Sequence, residues 1–312
     1  MFTNYTSLII PTRNRCLHLK NILTQIKSLE LIFKEIIVID SSDRKYKKEI
    51  VKISKVFKIK LYNSYPSISY QRNLGLNKAK KDAKYIMFLD DDIIFFKNAF
   101  INMDFRINIA EKNNEQISGF GFNFIQKTRP SFLENIKHSK LSKYFNLYSD
   151  LPGIIMKSGW QTKIMNLKKD IFTDWLYTCA SIYKRKDIKN LRFILSFGRY
   201  SYLEDLDFCL NLKKKNLKLM VVANAKFCHP NFIERNSFDF GVTEIENRFS
   251  IVKRHNLKFN SFFVGGIIRS LISFLNILGG RFNSVNRFLG NIFGLLKCIF
   301  KFIKNYFFAK FV

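Results

Sequence analysis

The chain predicts an α/β lobe on a parallel sheet with a basic helical extension behind it, and three observations carry that reading. Short continuous apolar runs alternate with helix-spaced segments over about the first hundred residues, as in strands covered on both faces by helices. Each of these runs ends in a polar cluster. From about Ser261 the composition turns to Phe, Ile, Leu, Gly and Lys with almost no acid.

Ser7-Leu8-Ile9-Ile10 is a short strand stopped by Pro11, and Leu17 to Leu29 spaces its apolar residues as a helix does. Ile36-Ile37-Val38-Ile39 runs into Asp40-Ser41-Ser42-Asp43, and Tyr85-Ile86-Met87-Phe88-Leu89 runs into Asp90-Asp91-Asp92. Open parallel sheets bind ligands at the carboxyl ends of their strands. Pro11-Thr12-Arg13-Asn14-Arg15, Asp40 to Asp43 and the aspartate triplet are therefore expected on one rim. Thr128 to Lys169 is mixed in composition and reads as an irregular segment with a short helix around Phe132 to Leu147. Regular structure resumes at Trp175-Leu176-Tyr177-Thr178, followed by a helix over Leu203 to Leu212, the basic run Lys213-Lys214-Lys215 and a strand over Leu217 to Val222. Cys228-His229-Pro230 closes the lobe, and no internal repeat is visible.

Composition limits the function. With 312 residues, 47% hydrophobic and only 5 prolines, the chain is neither disordered nor collagen-like. Lys and Arg exceed Asp and Glu by 53 − 24 = 29, so the surface attracts a polyanion: nucleic acid, an anionic membrane or a phosphorylated substrate. The 5 cysteines are scattered without a CxxC pair, which argues against a disulfide framework or a four-cysteine zinc site and fits a reducing cytosol. No basic segment leading into an apolar run and small residues opens the chain, so no signal peptide is expected.

In Ser261 to Leu278 the residues Gly266, Arg269, Ser270, Ser273 and Asn276 recur every three or four positions and share one helix face, with apolar residues elsewhere. A second stretch repeats this with Arg287, Asn291, Gly294, Lys297, Lys301 and Lys304. Both read as in-plane membrane helices rather than spans, because Arg269 and the regular lysines interrupt them. Helices packed on the globular body, with lysines in water, are the alternative.

Three adjacent carboxylates at a strand end repel one another unless a cation or hydrogen-bond donors compensate. Mg²⁺ or Mn²⁺ would do so and would bridge to substrate phosphates; an acidic loop or a helix cap has the same composition. In extended backbone Asp90 and Asp92 share a face while Asp91 points elsewhere. Glu204-Asp205 is a second acidic pair; a solvated acidic helix start has this composition, but apolar residues enclose the pair.

Taken in order, Ile9 to Arg15, Val38 to Asp43, Gln71-Arg72-Asn73-Leu74-Gly75, Phe88 to Ile93, Trp175 to Ser181 and Tyr202 to Leu210 resemble the motifs of family 2 glycosyltransferases, a resemblance running from about Thr6 to Pro230. It implies a GT-A fold, the Rossmann-like fold of nucleotide-diphospho-sugar transferases, over residues 1–235. Residues 1–100 would form the nucleotide-binding half and 101–235 the acceptor half, leaving 236–312 as a basic amphipathic region for membrane association. By the same resemblance Pro11, Thr12, Arg13, Asp40, Arg72, Asp90 and Asp91 bind the donor, with Asp40 on the base edge and Arg72 near the diphosphate. Asp92 is the main metal ligand, Asp90 touches ribose or metal, and His229 is a further ligand or a structural residue. Asp205 is the general base of an inverting transfer, Glu204 orients the acceptor, and Trp175, Thr178 and Cys179 line the sugar pocket. Thr178-Cys179-Ala180 stands where many members carry a Gly-Gly pair, and no QxxRW motif of processive synthases is present.

The expected activity is transfer of single hexosyl or deoxyhexosyl residues to a glycan or lipid-linked acceptor in bacterial surface polysaccharide synthesis, with Mg²⁺ or Mn²⁺. The expected place is the inner face of the cell membrane, in peripheral attachment to anionic lipid, with no nucleic-acid partner. A nucleic-acid-binding protein would explain the charge but sets acid on the ligand rim. A nucleotidyltransferase would need a Gly-rich basic phosphate loop after the first strand, which the sequence lacks.

Overall fold

A computed structural model describes residues 1–127, 140–198, 200–229, 235, 237–278, 282 and 284–308. It divides into two compact units, Met1–Lys127 with Ile164–Phe232, and Thr128–Lys163 with Ile233–Val312.

The first unit is built on strands β1 (Thr6–Thr12), β2 (Glu35–Asp40), β3 (Lys60–Asn63), β4 (Tyr85–Leu89), β5 (Ile94–Phe95), β6 (Ile117–Phe124), β7 (Ile171–Thr173), β8 (Ala180–Lys184) and β9 (Lys218–Cys228). Its helices are α1 (Cys16–Ser28), α2 (Arg44–Val56), α3 (Ile68–Lys78), α4 (Ala99–Lys112), the short α6 (Arg185–Ile188) and α7 (Glu204–Lys214). In the second unit α5 (Lys140–Tyr144) precedes three long helices, α8 (Phe238–Arg254), α9 (Phe259–Leu278) and α10 (Ser284–Phe308).

The sheet runs β3-β2-β1-β4-β8-β6-β9-β5, with β7 also paired to β9. Its first four strands are parallel, as the alternation of apolar runs and helices implies. Beyond them the sheet is mixed, because β8 lies antiparallel between β4 and β6. Buried strands are apolar whichever way they point, so periodicity does not encode direction.

Two expectations need correction. Pro11 does not stop β1, which continues to Thr12 and pairs Pro11 with Ile39. On the other side β4 reaches only to Ile9, so Pro11 sits where one flank of the strand has no ladder to donate to. Trp175 to Thr178 is not a strand either. Trp175 and Leu176 plug the core from a connection between β7 and β8. The helix expected around Phe132 to Leu147 lies for its first part outside the described residues.

The first unit's core joins Leu8, Ile10, Val38 and Met87 to Phe120, Phe122 and Met220. On the opposite sheet face Phe88 meets Phe193 and Tyr183, and Phe193 stacks on Phe208 of α7 with ring centroids 4.3 Å apart. Helix α3 lies unusually close to β1: a Cβ on Gly75 would stand 2.4 Å from Ile9 Cγ2.

In the second unit Ile245, Phe249, Val252, Phe262, Leu295 and Cys298 form a small core with Trp160 against it. Helices α8 and α10 approach so closely that a Cβ on Gly290 would stand 2.1 Å from the Phe238 carbonyl oxygen. The polar face of α9 turns inward: Gly266, Ser270 and Ser273 are buried, while Ile267, Leu271 and Leu275 are exposed.

Candidate active site

The loops after β1, β2 and β4 do meet on one rim. Gln71, buried on α3, ties the ends of the first two strands together by donating to the Thr12 carbonyl at 3.0 Å and the Ile39 carbonyl at 2.7 Å. The Ser41 N–H donates to the Thr12 carbonyl at 3.0 Å, and the Asn14 N–H to Ser42 Oγ at 2.7 Å.

The three aspartates take three sets of partners. Asp91 is buried, accepting from Thr12 Oγ1 at 2.6 Å and from Arg15 at 3.1 Å, so it fastens β1 to the rim. Burial pushes its carboxyl up to about 6, against the pull of Thr12 and Arg15. Asp92 stands between Arg15 at 2.6 Å and His229 Nε2 at 3.1 Å. Burial works to raise it, but the hydrogen bond and charge of His229, with Arg15, hold it below the usual carboxylate range. His229 is raised in turn, first by that hydrogen bond.

Asp90 turns to Arg72, whose guanidinium donates to Asp90 at 3.0 Å and to Glu204. Arg72 is buried and stacks over Phe193, 5.6 Å from the ring centroid. Burial alone would lower its pKa; the two carboxylates more than offset this and keep it charged. Glu204 is raised by burial, with Arg72 countering. Neighbouring Asn73 exchanges hydrogen bonds with the Phe193 backbone at 2.8 and 2.9 Å, so α3 also fixes the segment before α7.

Glu204 and Asp205 open α7 behind Leu203, whose φ of 73° is left-handed and costly for a side-chain-bearing residue. The helix dipole favours negative charge at this end. Asp205 is half-buried, and its Oδ1 accepts from the Leu206 N–H at 2.9 Å.

Asp40 is fully buried, with Oδ1 accepting from the Ser42 N–H at 2.8 Å and Oδ2 from Lys47, which also reaches Asn63 at 2.8 Å. Arg13 is exposed, 3.8 Å from Asp43, and Pro11 is buried in β1. Trp175 and Thr178 are buried, and among the described residues the Thr178 hydroxyl has no hydrogen-bond partner. The Cys179 carbonyl accepts from the Asp90 N–H at 3.0 Å, and desolvation lifts its thiol well above the ordinary value.

The rim thus joins Thr12, Asp90, Asp91, Asp92, Arg72, Glu204 and His229 through direct contacts, with Cys179 at its edge. Arg15 and Gln71 lie inside the sequence motifs without an assigned role, and Lys47 lies in none of them. Arg15 carries a signal in its place three residues past the end of β1; Lys47 looks like any helix-surface lysine.

Among the described residues no three His, Cys, Asp or Glu side chains form a ready-made metal cage. The donor set still fits a hard divalent cation. Asp92 and Asp90 offer carboxylate oxygens and His229 a ring nitrogen, donor types that Mg²⁺ or Mn²⁺ accepts. Such ions take few protein ligands where substrate phosphates and water complete the shell.

The fold recurs in solved proteins. PcManGT, a mannosyltransferase from Pyrobaculum calidifontis solved with GDP-Man and Mn²⁺, superposes with a TM-score of 0.53 at 10% identity over 93% of this chain and 87% of its own. GalNAc-T7, solved with UDP, GalNAc and Mn²⁺, gives 0.52 at 13% identity over 82% and 55%. S. aureus TarS gives 0.49 at 12% identity over 86% of this chain, which spans 43% of the length of TarS. The likenesses to PcManGT and GalNAc-T7 show the GT-A fold. No curated protein sequence matches the chain. The family model described as "Glycosyl transferase family 2" matches residues 7–190, a span that takes in the loops after β1, β2 and β4 as well as Arg72 and Cys179, and the chain belongs to that family of glycosyltransferases.

Proposed function

We propose that this glycosyltransferase moves a sugar, with inversion, from a nucleotide-diphospho-sugar to a hydroxyl of a lipid-linked glycan, with Asp205 as general base. The observation that carries the reading is the bridge from Asp90 through Arg72 to Glu204, which sets the acidic start of α7 beside the aspartate rim.

The residues divide the work. Asp205, half-buried at the start of α7, accepts the acceptor hydroxyl's proton while the acceptor oxygen bonds to the anomeric carbon and the diphosphate leaves from the opposite face. Glu204 and Arg72 hold that helix end against Asp90. Asp40, Lys47 and Asn63 stand at the base end of the donor cleft, and Thr178 offers the sugar a buried hydroxyl unpartnered among the described residues. Asp92 and His229 would hold Mg²⁺ or Mn²⁺, with Asp90 near; a cation there supplies positive charge for the departing diphosphate. The Mn²⁺ in PcManGT and GalNAc-T7, and the nucleotides bound with it, support a metal and a nucleotide-linked donor.

Membrane attachment supports a lipid-linked acceptor. After Glu246 the chain carries no Asp or Glu, and its lysines and arginines favour an anionic inner membrane surface. Bacterial surface polysaccharide assembly is the setting this reading favours. The test is transfer of labelled sugar from UDP- and GDP-sugars into a bacterial lipid extract. Label entering the lipid phase with wild type but not with Asp205→Asn supports the reading; label that enters only water-soluble glycans contradicts the lipid acceptor.

A further inference from the structure

A helix layer at a water-facing surface turns its apolar residues inward and shows its polar ones, yet α9 and α10 bury a polar stripe beside Phe262, Leu295 and Cys298 and expose many of their other apolar residues. Ser273 Oγ meets Asn291 Oδ1 at 3.2 Å, and Asn291 donates to the Gly241 carbonyl of α8 at 3.1 Å. Buried Glu244 accepts from Arg269 of α9 at 3.2 Å and from Arg287 of α10 at 2.8 Å. From exposed positions on α10, Lys297 and Lys301 reach Glu246 of α8 at 3.2 and 2.8 Å. Beside Asn260, Asn286 and the lysines, most of what is exposed on α9 and α10 is apolar. Leu271, Leu275, Leu296 and Phe300 are 52%, 38%, 60% and 72% exposed.

Small residues between helices and apolar residues outside are how helices pack in lipid, where the exterior has no water to satisfy. Charge selects lipid over a second copy of the chain. Phe259 and Phe302 have ring centroids 5.0 Å apart, so the start of α9 and the end of α10 lie together. After Glu246 the chain carries lysines and arginines but no Asp or Glu, so a second copy on this face would set like charge against like, whereas anionic headgroups attract it. By length and composition α9 could cross a membrane, but its inner face is committed to α8 and α10, which leaves one side for lipid.

We infer that the outer face of α9 and α10 is seated in the hydrocarbon of one leaflet, so that the enzyme attaches by insertion and not by charge alone. This rests on the membrane reading above and sharpens it from surface attraction to embedding.

The test is vesicle flotation of the full chain with neutral phosphatidylcholine and with phosphatidylglycerol-containing vesicles, at low and high salt. Insertion predicts flotation with both, retained in high salt and through an alkaline carbonate wash. It predicts loss with Leu271→Glu/Leu296→Glu and retention with Lys301→Ala. Both leucines are exposed, so circular dichroism of the double variant should match wild type. As a measure that needs no disruptive change, emission gained in Leu275→Trp should be quenched by acyl-brominated phosphatidylcholine. Binding confined to anionic vesicles and released by salt overturns insertion and leaves the peripheral reading standing. No binding to any vesicle overturns both. A vesicle-indifferent dimer that the double Glu variant splits assigns the face to a second copy and overturns the inference.

Discussion

Arg72 on α3 and Glu204 at the start of α7 form a buried ion pair although 132 positions separate them in the chain, and the same guanidinium holds Asp90. One side chain thereby sets the distance between the aspartate rim and the proposed base. Removing one partner of a buried pair strands the other charges, a cost of about 3–5 kcal/mol. Arg72→Ala should therefore lower the melting temperature sharply and abolish transfer. Arg72→Lys, a point charge without the two-pronged guanidinium, should recover part of the stability and little turnover. Equal turnover in Arg72→Lys and wild type would show that the bridge does not position the site.

Glu204 and Asp205 are adjacent but differ in environment, which separates their variants. Asp205→Asn should keep the wild-type fold and donor affinity while turnover falls by about 10²–10⁴, the usual contribution of a positioned base. Glu204→Gln removes the charge facing Arg72 and should show its main effect as a lower melting temperature. Calorimetry and donor titration on both variants distinguish these outcomes.

Gly75 is required by contact, since an added Cβ would stand 2.4 Å from Ile9 Cγ2. Gly75→Ala should destabilise by about 1–3 kcal/mol through overpacking. Gly75→Ala combined with Ile9→Ala should cost less than the sum of the two single changes in denaturant titrations, because the second change removes the obstructing methyl.

Glu244 supplies a pH dependence with a defined sign. Burial would raise its carboxyl, but Arg269, Arg287 and Arg248 hold it down to about 2 from an ordinary 4.5. A depressed carboxylate gives its full stability above the ordinary value and loses it as pH falls through the folded one. At roughly 1.4 kcal/mol per pKa unit the contribution is about 3 kcal/mol. The stability advantage of wild type over Glu244→Gln should be constant at neutral pH and shrink between about pH 5 and pH 2.

The loops that make the rim were legible because each follows a continuous apolar strand, and ligands gather at strand ends in such sheets. The pairing of Arg72 with Glu204 was not, since nothing local in either segment records a partner more than a hundred residues away. The composition of the faces of α9 and α10 was legible from their spacing. Which face turns inward was not: a stripe of Gly, Ser and Asn packs against a neighbour or meets water with equal ease until Glu244, Asn291 and the glycines of α8 and α10 are seen to fit it. Thr12 and Asp91 stood out as polar residues on a ligand rim, and the structure shows each satisfied by the other, a pairing that sequence cannot display.

The central claim is that this rim binds a nucleotide-linked sugar through a cation held by Asp92. The most direct test is the melting temperature of wild type and Asp92→Ala with UDP, GDP and their sugars, with and without Mn²⁺. A ligand that binds only the folded state at about 100 times its Kd adds about 2.7 kcal/mol and raises the midpoint measurably. A Mn²⁺-dependent rise for one nucleotide family is expected in wild type and lost in Asp92→Ala. An equal rise in both proteins, or none with any nucleotide on folded wild type, would contradict the claim.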